Sequence, residues 1–184
     1  ADRFGPIITR LKEQGKIRFL SLSERFISDP KHEGCVAGMK RNPELWDVIM
    51  LKYGILNQWA TREALPLAQE TGAGVMNMAA VRIKLPDPAK LEALITDWKQ
   101  RELIDRDSVP DKKPLDWLIH DGVTSVVDAA YKFGADHPAV ATLLTGTANI
   151  EHLKQNIAAM ERPQLPESDK QRIIQLFSHI AEYA

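Results

Sequence analysis

Residues 140–156 read VATLLTGTANIEHLKQN and give the clearest indication of the fold class. The first part, Val140 to Thr145, is a short apolar run after a His-Pro pair, and this pattern predicts a buried strand. A turn containing Gly146 follows, and apolar residues then recur at the spacing of one helix face at Ile150, Leu153, Ile157 and Met160. A strand that turns directly into a helix is the repeating unit of parallel α/β proteins.

Other segments repeat this alternation. Three more apolar runs predict strands at Ile17 to Leu22, Trp46 to Tyr53 and Gly74 to Ala79. Helical spacing occurs around Ile7 to Leu11, Ala60 to Glu70, Leu91 to Trp98, Val126 to Phe133 and Ile173 to Ile180. The polar stretch from Asp105 to Pro114 predicts a loop.

The order of these elements predicts a parallel sheet with right-handed crossovers. Each strand is a nearly continuous apolar run, which is typical of strands covered on both faces. Four such strands fit either a small doubly wound sheet or half of an eight-stranded (β/α) barrel, and periodicity does not separate the two.

Composition excludes several classes of function. The chain has 184 residues, 24 basic against 25 acidic side chains and a net charge of -1, so neither nucleic acid nor an anionic membrane is an expected partner. Cys35 is the single cysteine, which excludes an internal disulfide and a multi-thiolate metal site. No apolar run approaches the roughly 20 residues of a membrane span, and the N-terminal residues do not show the charged-then-apolar layout that is typical of a signal peptide. We expect a cytoplasmic protein.

In parallel α/β folds, ligands bind beyond the carboxyl ends of the strands. The turn after the last predicted strand contains Gly146, Thr147 and Asn149, and a helix start with two side-chain donors could hold a phosphate. The alternative is an ordinary turn whose Thr and Asn only cap the helix. The turn lacks the spacing of a dinucleotide glycine fingerprint or a P-loop.

The other strand ends are less specific. Ser23 could hydrogen-bond a ligand or cap the next helix. Lys52 and Tyr53 suggest an acid–base pair, but neighbours on a strand point to opposite faces, so at most one can face a shared site. Asn77 is polar within an apolar strand and needs a ligand or backbone partner.

Histidine and cysteine chemistry is not indicated. The histidines are scattered over predicted loops and helices, where we expect them to be solvated, at His32, His120, His137, His152 and His179. No spacing typical of a metal site, a nucleophile elbow or a Cys–His–Asp triad is present, and Cys35 has no evident activating base.

Taken together, the strand-end motifs resemble the aldo-keto reductases. Gln14 to Glu24 is similar to the fifth strand of that family, Trp46 to Tyr53 to the sixth, and Gly72 to Val81 to the seventh. Leu144 to Asn156 resembles the eighth strand and the helix after it. The motifs occur in order over nearly the whole chain, and the resemblance therefore implies the C-terminal half of a (β/α)8 barrel.

The resemblance also implies a cofactor site, because the family binds a nicotinamide cofactor, usually NADPH, without a Rossmann glycine loop. Ser23 would hydrogen-bond the nicotinamide carboxamide, and Met78 would lie against the nicotinamide ring. The remaining contacts would be Gly146, Thr147 and Asn149 around the adenosine phosphate, and Gln155 and Asn156 at the adenine.

Several positions depart from the family pattern. Ser21 stands where a glycine is usual, and Met50 where many members have a glutamine. Residues 145–149 include no Lys or Arg to hold a 2′-phosphate, so NAD remains an alternative to NADP.

The family's catalytic Asp, Tyr, Lys and His lie on its second, third and fourth strands. The resemblance therefore implies that residues 1–184 form a single domain that lacks the N-terminal half and has no catalytic residue of its own. Such a chain would be inactive alone. Four barrel strands would also leave two open edges, which a missing N-terminal half, a second copy or another protein would have to cover.

The leading interpretation is the cofactor-binding half of an NAD(P)H-dependent reductase that acts on a small aldehyde or ketone. A second interpretation is a non-catalytic half-barrel that binds nucleotide or a partner, as an oligomer or accessory subunit. A third is an unrelated α/β protein with a phosphate site between Gly146 and Asn149.

Overall fold

A computed structural model describes residues 4–161 and 164–182. The described chain contains a four-stranded sheet, and all neighbouring strands are parallel. The strands are β1 (Ser21–Ser23), β2 (Val48–Lys52), β3 (Gly74–Met78) and β4 (Val140–Leu143). They lie side by side in chain order, β1-β2-β3-β4. This order agrees with a (β/α) barrel rather than a doubly wound sheet, whose strand order reverses at a switch point.

Helices connect the strands. They are α1 (Gly5–Glu13), α2 (Glu33–Arg41), α3 (Ala64–Thr71), α4 (Pro88–Gln100), α5 (Val126–Asp136), α6 (Ile150–Glu161) and α7 (Glu167–Phe177). Two short 3₁₀ segments occupy Trp59–Arg62 and Asp116–Leu118. None of the helices in the described parts of the chain has the length and apolar character that a bilayer crossing requires.

Some predicted boundaries are wrong at the first strand. β1 begins at Ser21 rather than at Ile17, because the Asp47 carboxylate accepts a hydrogen bond from the Leu20 amide at 2.7 Å. The same carboxylate forms an ion pair with Lys12 Nζ at 2.6 Å. A side chain thus occupies the place where ladder bonds would extend the strand. The other three strands are also shorter than predicted. They end at Lys52, Met78 and Leu143, and β2 begins at Val48 rather than at Trp46.

The predicted helix from Ala60 to Glu70 is divided in two. A 3₁₀ turn ends at Arg62, and α3 begins at Ala64. Pro66 explains the division, because it lacks an amide hydrogen and is tolerated only in the first turn of a helix. The last helix, predicted around Ile173 to Ile180, is shifted toward the N-terminus in the structure and spans Glu167–Phe177.

The outer face of the sheet is covered by helices. Ile49, Leu51 and Val75 point to this face and are fully buried. Side chains from α2, α3 and α5 complete the layer, at Cys35, Met39, Leu65, Ala68, Ala129 and Phe133. Trp98 of α4 packs on Phe177 of α7, with ring centroids 5.7 Å apart.

The inner face is different. Ser23, Met50, Met76 and Thr142 lie in register on this face. The serine and threonine are exposed and the two methionines are only half-buried. The prediction that both faces of the strands are covered is therefore wrong for the inner face.

Asn77 is the polar exception on the outer face, and its partners are backbone groups. Its Oδ1 accepts from the Tyr53 amide at 2.9 Å, and its Nδ2 donates to the carbonyls of Tyr53 and Gly134, both at 2.9 Å. Gly134 permits the approach of α5, since a Cβ there would lie 2.8 Å from Ala80 Cβ and 3.1 Å from Asn77 Nδ2. One side chain thereby ties β2, β3 and α5 together near the carboxyl ends of the strands.

Candidate functional site

The carboxyl ends of the four strands meet at one edge of the sheet, because the strands are parallel. This carboxyl edge carries Ser23 at the end of β1, Lys52 at the end of β2 and Met78 at the end of β3. The turn at residues 144–149 follows β4 at the same edge, and Leu144 donates its amide to the Asn77 carbonyl at 2.8 Å. Ser23, Lys52 and Met78 also share the inner face, because the register pairs Ser23 with Met50 and Lys52 with Met78.

In the turn after β4, polar side chains cap α6. Asn149 Oδ1 accepts from the amides of Glu151 at 2.9 Å and His152 at 3.4 Å, and Thr147 Oγ1 accepts from the Asn149 amide at 3.1 Å. Asn149 therefore caps α6, whereas Thr147 bonds the residue before the helix. A Cβ placed on Gly146 would meet no atom within 4 Å, so the space beside the turn is open. Capping and ligand contact are compatible here, because the turn remains exposed.

A hydrogen-bonded trio stands behind this turn. Thr145 Oγ1 lies 2.9 Å from the Tyr131 hydroxyl and accepts from Asn156 Nδ2 at 2.6 Å. The trio joins the turn after β4 to α5 and α6, so the amide of Asn156 is held in one orientation. Sequence reasoning singled out Asn156 but missed Tyr131, and nothing in the spacing of α5 pairs that tyrosine with the turn.

A groove of about 330 Å³ runs between the start of α5 and α6. Its walls are Thr124, Ser125, Val127, Asp128 and Tyr131 on one side and Gln155, Asn156 and Ala159 on the other. Its volume and its mixture of polar and apolar walls suit part of a small ligand. The two residues predicted at an adenine, Gln155 and Asn156, are thus brought to the same concave surface.

Lys52 is the buried charge of the carboxyl edge, with 4% of its surface exposed. Burial, followed by the nearby charges of Arg82 and Lys84, lowers its pKa to about 7. Tyr53 points to the opposite face, where its ring stacks on Phe133 at 5.5 Å between centroids. Burial raises the pKa of the Tyr53 hydroxyl. The prediction that these neighbours cannot both face one site is confirmed.

The histidine prediction is wrong for His32. This residue is 2% exposed, and its Nδ1 lies 2.7 Å from Glu24 Oε2 in a buried pair. The other Glu24 oxygen accepts from the Lys52 amide at 2.7 Å. His137 is also half-buried, edge-on to the Tyr53 ring, and burial lowers its pKa.

Cys35 is buried in α2, and its pKa is raised to about 12 by burial and by the charge of Glu24. A thiol in this state is not a nucleophile at neutral pH, as the sequence indicated. Within residues 4–161 and 164–182, no cluster of three or more His, Cys, Asp or Glu side chains is arranged to hold a metal ion.

The four parallel strands in sequential order, each followed by a helix, define a (β/α) protein. A family profile, that of the aldo/keto reductase family, matches residues 6–177, and the chain belongs to this family of oxidoreductases. No curated protein matches the chain.

Two solved structures of aldo-keto reductase AKR11C1 from Bacillus halodurans are similar to this chain. The holo form has a TM-score of 0.66 at 23% identity, covering 99% of this chain and 57% of that protein. The apo form has a TM-score of 0.66 at 22% identity, covering 99% of this chain and 58% of that protein. The likeness concerns the fold, and the chain spans less than two thirds of the length of these structures.

Proposed function

We propose that this chain supplies the cofactor-binding side of an NAD(P)H-dependent reductase of aldehydes or ketones. One observation carries the proposal: residues far apart in sequence lie at one edge of the sheet, beside an open groove. The proposed contacts are Ser23, Met78, Gly146, Thr147, Asn149, Gln155 and Asn156.

Features of this edge fit a dinucleotide. The exposed start of α6 presents the positive end of a helix dipole, which favours a phosphate. The groove with the oriented Asn156 amide is open to a purine. At the other end, the exposed Ser23 hydroxyl can donate to a carboxamide, and the half-buried Met78 offers an adaptable apolar contact. The reduced nicotinamide supplies a hydride when it is bound.

We propose NADP as the cofactor, with NAD as the alternative. Residues 145–149 include no Lys or Arg, although a 2′-phosphate is usually held by such side chains. The neighbouring cation of α6 is Lys154, which binds Glu151 at 2.8 Å on the exposed side of the helix. The affinity ratio of the two cofactors decides between them.

The proton donor for the reaction is proposed to come from outside these strands, so that the chain acts with other polypeptide and not alone. Tyr53 faces the outer core, and the Tyr131 hydroxyl is bonded to Thr145. Carbonyl reduction needs a donor within hydrogen-bond reach of the developing alkoxide. Neither tyrosine is placed to serve on the inner face.

The open surfaces support a covering partner. β1 and β4 are the outer strands of the sheet, and each has one unpaired edge in the described structure. An apolar stripe along α6 is exposed as well, at Ile150, Leu153, Ile157 and Met160. An N-terminal barrel half, a second copy or another protein would bury these surfaces. The same stripe favours the second candidate function, a non-catalytic nucleotide-binding module that works through its partner.

Dinucleotide titrations test the proposal. Asn156→Ala should weaken the binding of NADPH to the purified protein about fivefold to tenfold, because one oriented hydrogen bond is lost. Thr147→Ala should weaken it to a smaller extent. Thr96→Ala, on the exposed side of α4, is the matched control and should leave the affinity unchanged. Equal affinities in all of these proteins would contradict the cofactor assignment.

Turnover separates the two functions. If the purified protein alone binds dinucleotide and reduces a panel of aldehydes, a proton donor lies in this chain and our assignment of that group is wrong. The reductase proposal expects that the purified protein alone binds dinucleotide without turnover. Turnover should then appear when a covering partner is added. Binding without turnover under every condition favours the non-catalytic module.

A further inference from the structure

A buried acid–histidine pair lies directly beyond the first strand. Glu24 follows Ser23 at the end of β1, and His32 is the N-cap residue of α2. The side chains of Glu24 and His32 are 1% and 3% exposed, and His32 Nδ1 donates to Glu24 Oε2 at 2.7 Å. The pair thus closes the loop of residues 24–32 at both of its ends. The proposed function gives this pair no role.

The other oxygen of the Glu24 carboxylate extends the contact between β1 and β2. The last residue pair of this ladder is Ser23 with Met50, and the Glu24 amide donates to the Met50 carbonyl at 3.2 Å. The Lys52 amide then donates to Glu24 Oε1 at 2.7 Å, so a side chain takes over where the ladder ends. β1 is an outer strand of only three residues, and few other bonds fix its carboxyl end. The carboxylate therefore holds this end of β1 against β2.

The pair is kept at a cost to stability. His32 has a φ of 62°, a left-handed conformation that is uncommon for residues other than glycine. Its Nε2 atom is buried, and no hydrogen-bond partner for this atom lies among the residues that the structure describes. Backbone strain and unsatisfied buried polar atoms persist only where the surrounding structure maintains them, and they are concentrated at functional sites. A role beyond packing would account for both features.

The loop closed by this pair extends along the carboxyl edge toward β3. The ring of Phe26, in this loop, has its centroid 5.5 Å from Lys52 Nζ and 4.6 Å from Arg82 Cζ. Contacts of this length between a cation and a ring are attractive. Arg82 belongs to the loop that follows β3, so the chain reaches from Ser23 across the end of β2 to the loop after Met78. Ser23 and Met78 are the two positions proposed for the nicotinamide.

We propose that the Glu24–His32 pair positions the Ser23 hydroxyl for the carboxamide of the nicotinamide. Neighbouring residues of an extended chain point to opposite sides, so the buried Glu24 carboxylate lies away from the exposed Ser23 side chain. Glu24 and His32 are therefore positioning residues, which act through the backbone of β1 and of the loop and do not touch the cofactor. The inference rests on the proposed function and adds two residues to its site.

Two ligands that differ only in the nicotinamide ring test this role. They are NADPH and 2′-phospho-ADP-ribose, and calorimetry on the purified protein gives the ratio of their affinities. This ratio reports on the nicotinamide end alone, because the turn proposed for the adenosine phosphate follows β4, three strands from β1 and roughly 14 Å away. The wild type should prefer NADPH.

His32→Gly removes the imidazole and also relieves the left-handed strain, so this variant should remain folded. Its affinity for NADPH should fall about threefold to tenfold, because the Ser23 hydroxyl is no longer held in place, and its affinity for 2′-phospho-ADP-ribose should not change. Glu24→Gln should keep the wild-type ratio, since the new amide can accept from the Lys52 amide and donate to His32 Nδ1. Asn156→Ala, at the other end of the site, is the matched control and should weaken both ligands alike.

The outcomes separate this inference from the proposed function. A wild-type preference for NADPH that His32→Gly retains would overturn the positioning role alone, and so would an equal loss of both ligands, which a merely structural role predicts. A loss in Glu24→Gln as large as in His32→Gly would also overturn it, because the charge of the carboxylate would then act rather than its hydrogen bonds. A wild type that binds neither ligand would contradict the proposed function itself. Equal binding of the two ligands by the wild type would contradict the placement of the nicotinamide at Ser23.

Discussion

The two faces of the sheet differ in how completely the chain buries them. On the outer face, Ile49, Leu51 and Val75 are fully buried under helices, and the polar Asn77 has backbone partners for its amide. On the inner face, Ser23 is exposed, and Met50 and Met76 are only half-buried. Lys52, at the carboxyl edge of the same face, is buried. The outer layer is completed by the chain itself. The inner layer is left partly open in the described structure, and its polar carboxyl edge is where we propose that the cofactor binds.

Truncation of one strand residue on each face should give the largest contrast. Leu51→Ala removes a fully buried side chain and should lower the free energy of unfolding by about 3 kcal/mol. Met50→Ala, one residue earlier on the half-buried inner face, should cost less than about 1 kcal/mol. Urea unfolding of both variants measures the difference. Equal costs would mean that the inner face is already a packed core.

A methyl group added between the sheet and α5 should have the next largest effect. In Gly134→Ala the new Cβ would lie 2.8 Å from Ala80 Cβ, so the helix has to move and the stability should fall by about 2 kcal/mol. Gly146→Ala is the matched control, because a Cβ there meets no atom within 4 Å. Thermal unfolding compares them. A control as unstable as the Gly134 variant would show that the turn after β4 is not open.

The charge of Lys52 should produce a pH dependence of intermediate size. Its pKa is about 7 in the folded protein and near the ordinary lysine value of 10.5 when unfolded, so the unfolded state binds more protons between these limits. The free energy of unfolding should therefore rise with pH above 7, by about 1 kcal/mol per pH unit. Lys52→Met should remove this rise. Urea unfolding at several values between pH 7 and pH 9 tests it, and an identical slope in the variant would place the titrating group elsewhere.

The smallest effect expected is that of a helix cap. Asn149→Ala removes an acceptor from the amides of Glu151 and His152 and should destabilise the protein by about 1 kcal/mol or less. Asn149→Asp keeps a capping oxygen and should retain the stability. If the Asp variant nevertheless loses dinucleotide affinity, Asn149 has both roles. If the Ala variant leaves both stability and affinity unchanged, neither role is correct.

Local pattern was sufficient to predict the parallel strands and most helices, because runs such as the one ending at Lys52 are apolar and bounded by turn residues. It was also sufficient to place Asn149 at a helix start, since capping depends on neighbouring residues. The boundary of β1 was not predictable, because it depends on the Asp47 carboxylate 27 residues away from Leu20.

Long-range contacts account for the parts of the site that sequence reasoning missed. The burial of His32 depends on its pairing with Glu24 across a turn, and Tyr131 meets Thr145 only after α5 packs beside β4. Arg82 and Lys84 belong to a loop without periodicity, and their proximity to Lys52 follows from the parallel pairing of β2 with β3. No spacing rule relates these residues, so only the fold could bring them together.

The proposed function requires that the carboxyl edge of this sheet binds a nicotinamide dinucleotide. Amide hydrogen exchange of the protein with and without NADPH tests it most directly, because it locates the bound ligand without relying on any variant. We expect slower exchange at residues 145–150 and at the loop that begins with Ala79, with little change at the amino ends of the strands. Slower exchange confined to the amino ends, or none at saturating NADPH, would contradict the account.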